Sequence, residues 1–145
     1  MKVRGGRGRE ALYICCVYMP VDSSSVTVIE GCYERLKEDV LRFKQKGRVV
    51  LLGDFNARVG KAVDIDDVIG MFGEEVCNMS GNRLISFLHE VELVICNGRQ
   101  LVSEPQWTRV RPSLNQKSVI DYVVTDMHLM RESGSVQILE RQIIS

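Results

Sequence analysis

Apolar positions in this 145-residue chain recur in two rhythms. Short unbroken runs of β-branched and aromatic residues predict strands, and steps of three and four predict helices. Ala11–Tyr18 (ALYICCVY) is the first such run, closed by Met19-Pro20, where Pro20 has no N–H to give a ladder. Asp22-Ser23-Ser24-Ser25 then offers several helix caps. From Val26 to about Lys46, the residues Val26, Ile29, Tyr33, Leu36, Val40 and Phe43 line one stripe, with Glu30, Glu34, Lys37, Glu38 and Lys44 opposite. Gly47 stands where a helix C′ residue is wanted. A second amphipathic stretch, Gly81 to Glu92 with Ser80 as its cap, buries Leu84, Leu88 and Val91. Shorter runs predict strands at Glu92–Asn97, Gln106–Val110, Ser118–Thr125 and Ser135–Leu139, with a turn at Arg111–Lys117 and a short turn or helix at Met127–Glu132. This order predicts helices layered on a sheet, an α/β chain with one domain over residues 11–145. Residues 1–10 are rich in glycine and arginine and read as a flexible arm or a turn after a clipped strand.

The most apolar run, Val49 to Leu52, leads straight into Gly53-Asp54-Phe55-Asn56. It predicts a strand buried on both faces and ending in a carboxylate and an amide two residues apart. On an extended backbone such positions point the same way, so Asp54 and Asn56 are expected to leave the sheet edge together. The plainer reading makes them turn formers. Asp121 is an anomaly within SVIDYVVT, because an ionisable group inside an apolar strand needs a partner or must emerge at a site. The loop Ala57–Ser80 is long for a plain connection, and such loops are often functional. Its Asp64, Asp66 and Asp67 lack the glycine and distal glutamate of a calcium loop and read as solvated acids.

Composition narrows the picture. With 45% apolar and 26% charged residues the chain is globular in type rather than disordered. Lys+Arg and Asp+Glu are equal at 19 each, so net charge points to no nucleic-acid or membrane partner, and any phosphate-binding patch must be local. No apolar run is long enough to span a membrane, and MKVRGGRGRE has no apolar core behind it as a signal peptide would. Five scattered cysteines (Cys15, Cys16, Cys32, Cys77 and Cys96) without metal spacing suit reduced thiols inside a cell, nuclear or cytoplasmic. His89 and His128 read as surface or local hydrogen-bonding residues rather than metal ligands.

Three polar signals stand together once the strands are laid out: Tyr18 in VYMP, the Asp54/Asn56 pair in GDFN, and Asp121 in VIDYV. With VVLLGDFNARVG, CCVYMP, NMSGNRLISFLHEVELVICN and PQWTRV…SVIDYVV as their flanks, they resemble the endonuclease/exonuclease/phosphatase family. The match is closest to its retrotransposon-type endonuclease branch and the related craniofacial-development-protein-2-like chains, and it covers about residues 11–145. The resemblance implies an α/β (α+β) fold, part of a four-layer α-β-β-α sandwich. It implies hydrolysis of a phosphodiester, or in relatives a phosphomonoester, with Mg²⁺ or Mn²⁺, and nucleic acid (DNA) as the partner of the full domain. It also implies roles. Asp54 would orient and deprotonate the attacking water, and Asn56 would donate to a non-bridging oxygen and help hold the metal. Tyr18 would contact the phosphate. Asp121 would hydrogen-bond a histidine near the C-terminus and fix its tautomer. Arg58, Lys61 and Arg83 are candidate phosphate contacts whose default role is surface solubility.

The sequence departs from the family pattern at both ends. The first family strands carry an asparagine and the glutamate that is the main metal ligand, and no glutamate here stands in that context, neither Glu10 nor Glu30. The Ser-Asp-His that supplies the histidine is also absent, with Ser145 falling where its serine is expected, and His128 is too near the IDY strand to substitute. The expectation is therefore a truncated domain with a half-built site, weak metal binding and impaired turnover. A face of the sheet is expected to lie exposed. Two alternatives stand beside the endonuclease reading: a non-catalytic remnant of a retroelement-derived gene, and a phosphomonoesterase.

Overall fold

The computed structural model describes residues 1–3, 10–64, 67–100 and 105–133, and within them β3 (Gly47–Asp54) lies at the centre of a five-stranded sheet. On one side β3 pairs in parallel with β2 (Ala11–Tyr18), which pairs antiparallel with the edge strand β1 (Lys2–Val3). On the other side it pairs antiparallel with β7 (Asp121–Thr125), and β7 with β4 (Val94–Ile95). β5 (Arg109–Arg111) and β6 (Gln116–Ser118) form a separate hairpin closed by the short 3-10 turn Pro112–Leu114. The strand expected at Ser135–Leu139 lies outside the described residues, as do residues 4–9 of the N-terminal stretch.

Alternation along the central strands sorts their side chains. Val49 and Leu51 of β3, with Tyr122 and Val124 of β7, are buried against Val40 of α1 (Val26–Lys44) and Leu84, Leu88 and Val91 of α2 (Met79–Val91). Tyr13, Cys15 and Val17 of β2 join that side, and Tyr13 stacks on Phe43 at 4.9 Å between ring centroids. The opposite face carries Leu12, Ile14, Cys16, Tyr18, Val50, Leu52 and Val123, all half-buried or exposed. Arg48 on the same face reaches Glu132 of α3 (Met127–Ser133) at 3.1 Å. This face carries the polar strand ends at its margin.

Several boundaries differ from the sequence expectation, each for a visible reason. α1 ends at Lys44, and Gly47 opens β3 rather than closing the helix. Ser25 caps α1 through its hydroxyl to Val28 N–H, whereas Asp22 turns away to accept the Ser80 hydroxyl at 2.6 Å. α2 starts two residues early, and its cap is Asn78, not Ser80. The run Ser118–Thr125 breaks in two: Ser118 ends the hairpin and β7 begins only at Asp121. Asp121 is thus not the mid-strand carboxylate that the sequence suggests. It stands at the start of a strand, half-buried, where its charge reaches water at the sheet edge.

Gly53 is fixed by close approach. A Cβ there would lie 2.0 Å from the Val17 carbonyl oxygen, and its φ is +143°. Only a residue without a side chain lets β2 and β3 pair through to their last register.

Candidate active site

The sheet register does most of the assembly. Tyr18 of β2 is the partner of Asp54 of β3, and Asp54 is the partner of Asp121 of β7. Register partners share a face, so these three side chains form one row across the end of three adjacent strands. Tyr18 is 77% exposed, and both carboxylates are half-buried. The two carboxylates face one another in an antiparallel pair, an arrangement of like charge that is unfavourable until something positive meets it. Among the described residues no side chain donates to the Asp121 carboxylate.

Asn56 joins the row by a turn rather than by strand alternation. β3 ends at Asp54, and Asn56 has a left-handed φ of 47°. The simple argument that positions i and i+2 point alike therefore fails here. Instead Asp54 Oδ1 accepts the Asn56 backbone N–H at 2.8 Å, and Asn56 Nδ2 donates to the Met19 carbonyl at 2.8 Å. Met19 N–H in turn donates to the Asp54 carbonyl at 2.9 Å. Between them Phe55 is driven into the core, 6.0 Å from the Tyr122 ring. The turn-former reading holds for this segment, and the turn is what keeps the Asn56 amide beside the Asp54 carboxylate.

A set of bonds ties this turn to the start of β7. Phe55 N–H donates to the Ile120 carbonyl at 2.9 Å. The Tyr122 hydroxyl lies 2.6 Å from the Val119 carbonyl and 2.9 Å from the Ala57 carbonyl, with its single hydrogen shared between them. Burial pushes that phenol well above its ordinary pKa, so it remains a donor throughout the physiological range. Thr108 Oγ1 accepts Ile120 and Asp121 N–H, and Asn97 spans the Asp121 carbonyl and Val123 N–H. Arg58 is held by the buried Glu74, whose hydrogen bond and charge raise the guanidinium pKa against the opposing effect of burial. Asn78 Oδ1 accepts both Gly81 N–H and Arg58 N–H, so one side chain caps α2 and fixes the loop. α2 presses so closely there that a Cβ on Gly81 would sit 1.9 Å from the Arg58 carbonyl oxygen. Replacing Asn78 by alanine strands both donors, and we expect a loss of ~1–2 kcal/mol, read as a lower thermal midpoint. An unchanged midpoint would mean that Asn78 is not the cap.

An open cleft of about 650 Å³ adjoins the row, lined by Asn56, Arg58, Asp22 and Asn78 on one side and by Arg109, Arg111 and Lys117 of the hairpin on the other. The chain is neutral as a whole, but this surface is locally basic. As for metals, the candidate donors Asp54, Asn56 and Asp121 offer hard oxygens, the type that magnesium and manganese prefer. Among the described residues no group of three or more His, Cys, Asp or Glu forms a cage. Two carboxylates and an amide suit a hydrated Mg²⁺ shared with a substrate phosphate, and fall short of a site that holds a bare ion.

No family model matches the sequence. Over 115 residues, 78% of the chain, it is 33% identical to craniofacial development protein 2 of Bos taurus and 32% identical to that of Tragulus javanicus. Those alignments take in 19% and 20% of the relatives, so the chain spans about a fifth of their length. Among solved structures, the endonuclease domain of TRAS1, a telomere-specific non-LTR retrotransposon, matches with a TM-score of 0.57 at 19% identity, over 90% of this chain and 50% of that one. The 3′ phosphatase NExo from Neisseria, bound to product DNA hairpin, matches with a TM-score of 0.55 at 20% identity, over 86% and 51%. The chain is similar in sequence to craniofacial development protein 2 and has the α/β fold of these endonuclease and 3′ phosphatase domains.

Within that fold, the four residues singled out from the sequence, Tyr18, Asp54, Asn56 and Asp121, come together at one sheet edge. Arg58 lies beside them in the cleft, but its guanidinium is engaged by Glu74. Lys61 pairs with Glu75, and Arg83 lies away in a groove between α1 and α2. His128 pairs with Glu132 on α3 (Met127–Ser133), in keeping with a local surface role. In the long loop Asp64 is exposed, as a solvated acid should be, and Asp67 is half-buried, while the apolar Val59, Ala62, Val68 and Ile69 are buried in the core; Asp66 lies outside the described residues. Sequence reasoning missed Glu74, Thr108 and Asn97. Asn78, three residues ahead of Gly81, carried a cap signal that Ser80 obscured.

Proposed function

We propose that this chain carries the water-activating part of a metal-assisted phosphoesterase site that acts on nucleic acid. The observation that supports it best is the single row of Tyr18, Asp54 and Asp121 with Asn56 locked beside it, Asn56 itself lining a basic cleft. Mg²⁺ or Mn²⁺, held through Asp54, Asn56 Oδ1 and Asp121, would supply a positive charge for the phosphoryl oxygens and lower the pKa of nearby water. Asp54 orients a water and accepts its proton. Its carboxylate is prealigned by the Asn56 N–H, which leaves its other oxygen for that task. Asn56 has one amide hydrogen committed to the Met19 carbonyl, which sets the amide plane and turns the second hydrogen toward a non-bridging oxygen. The exposed Tyr18 hydroxyl contacts the phosphate. Asp121 steadies an imidazolium or the cation across the strand pair.

The cleft favours a polymer over a small phosphomonoester. Its cations lie spread along an open surface, which suits a run of backbone phosphates, whereas a monoester would be better served by an enclosed pocket. The test is nicking of supercoiled plasmid by the chain in Mg²⁺ or Mn²⁺. We expect EDTA-sensitive nicking that Asp54→Ala lowers by at least ~100-fold. A second reading, a module that binds cation and nucleic acid without turnover, rests on the small donor set. It is favoured if Mn²⁺ binds at the row and no nicking is seen. Nicking that survives Asp54→Ala would contradict the assignment of Asp54.

A further inference from the structure

We propose that Glu74 is a positioning residue that sets the spacing between the two carboxylate-bearing strand ends. This deepens the proposed site and rests on it for its purpose, but not for its geometry. Glu74 is 2% exposed, in the loop between β3 and α2. Its Oε2 accepts Arg58 Nε at 2.8 Å and also the Arg58 terminal nitrogen, and its Oε1 accepts Val119 N–H at 3.0 Å. One carboxylate therefore joins the segment that leaves Asp54 to the segment that enters Asp121. The other ties across the same gap, the Phe55 N–H and the Tyr122 hydroxyl, are neutral. Among the described residues, the Arg58–Glu74 pair brings charge into it.

Burying a carboxylate is costly, and an apolar side chain in its place avoids that cost. A buried acid is useful here because the two strand ends repel. Asp54 and Asp121 are register partners, and the repulsion between them favours parting of β3 and β7 at that end. A charge-assisted bond from Arg58, with the second oxygen on Val119, resists that parting more strongly than a neutral bond does. The same geometry makes Arg58 a brace rather than a phosphate ligand, because its release would leave Glu74 buried and unpaired.

The test compares amide exchange and Mn²⁺ affinity in the full chain and in Glu74→Gln, with Glu75→Gln as control. Glu75 is exposed and paired with Lys61, so Glu75→Gln removes the same formal charge from the surface next to the site. We expect Glu74→Gln to speed exchange at Phe55 and Asn56 by about tenfold relative to Leu51, with Glu75→Gln unchanged. We also expect it to weaken Mn²⁺ binding by about threefold or more. Glu74→Asp, which keeps the charge but is one methylene short of both partners, is the second variant should Glu74→Gln fail to fold, and it should show the same local loosening. Unaltered exchange at Phe55 and Asn56 in both variants overturns the proposal, whatever the metal does. If instead exchange responds and Asp54→Asn leaves Mn²⁺ binding intact, the positioning role stands and the metal reading of the row fails.

Discussion

Gly53→Ala is expected to prevent β2 and β3 from closing at their functional end. The new Cβ would meet the Val17 carbonyl oxygen at 2.0 Å, far inside contact distance, and the atom it meets is backbone. The φ of +143° adds strain of its own for any residue with a side chain. Relief requires β2 to move away, which breaks the pairing of Val17 with Gly53 and of Tyr18 with Asp54. We expect a loss of at least ~3 kcal/mol, a large share of the ~5–15 kcal/mol typical of a domain. Urea denaturation followed by circular dichroism measures it. A midpoint equal to that of the parent chain would contradict the close approach.

Asp121→Asn is expected to act in opposite directions on stability and on metal binding. In the absence of divalent cations the Asp54–Asp121 pair sets like charges opposite one another, so neutralising one should stabilise the fold by ~0.2–1 kcal/mol. In Mn²⁺ the same change removes one of two anionic donors, and affinity should fall about tenfold or more. Mn²⁺ should therefore raise the thermal midpoint of the parent chain and hardly move that of the variant. The opposing signs separate this account from a purely structural role for Asp121. A structural aspartate would lose stability on substitution and would leave the cation response alone.

The elements most legible in the sequence were those whose pattern is local. The α1 stripe from Ile29 to Phe43 and the ALYICCVY strand could be read because burial repeats with the period of the element, although Val26 at the head of the stripe is exposed; β3 is the expected strand, but it fully buries only Val49 and Leu51 rather than both faces. The grouping of Tyr18, Asp54, Asn56 and Asp121 was legible through the family resemblance; register is its physical cause for the first, second and fourth, and the turn for Asn56. Less legible was whatever depends on partners distant in sequence. The left-handed turn at Asn56 arises from Asp54 and Met19 together, so an extended-backbone argument could not foresee it. The break before Asp121 reflects Thr108, Tyr122 and Glu74 binding the Val119–Asp121 backbone, which diverts it from the ladder. Glu74 itself lies in a loop that carries no periodicity. Its neighbour Glu75 is exposed and looks the same in sequence, and only the fold distinguishes them.

The claim that matters most is that a hard cation is met by the Tyr18–Asp54–Asp121 row with Asn56, and the location of a bound ion tests it directly. Mn²⁺ added in substoichiometric amount broadens amide resonances within a limited radius of where it binds. We expect the loss of signal to centre on Asp54, Asn56 and Asp121 and to disappear in Asp54→Asn. Broadening centred instead on the acidic loop around Asp64 and Asp67, or on the Glu30 and Glu34 face of α1, would contradict the account.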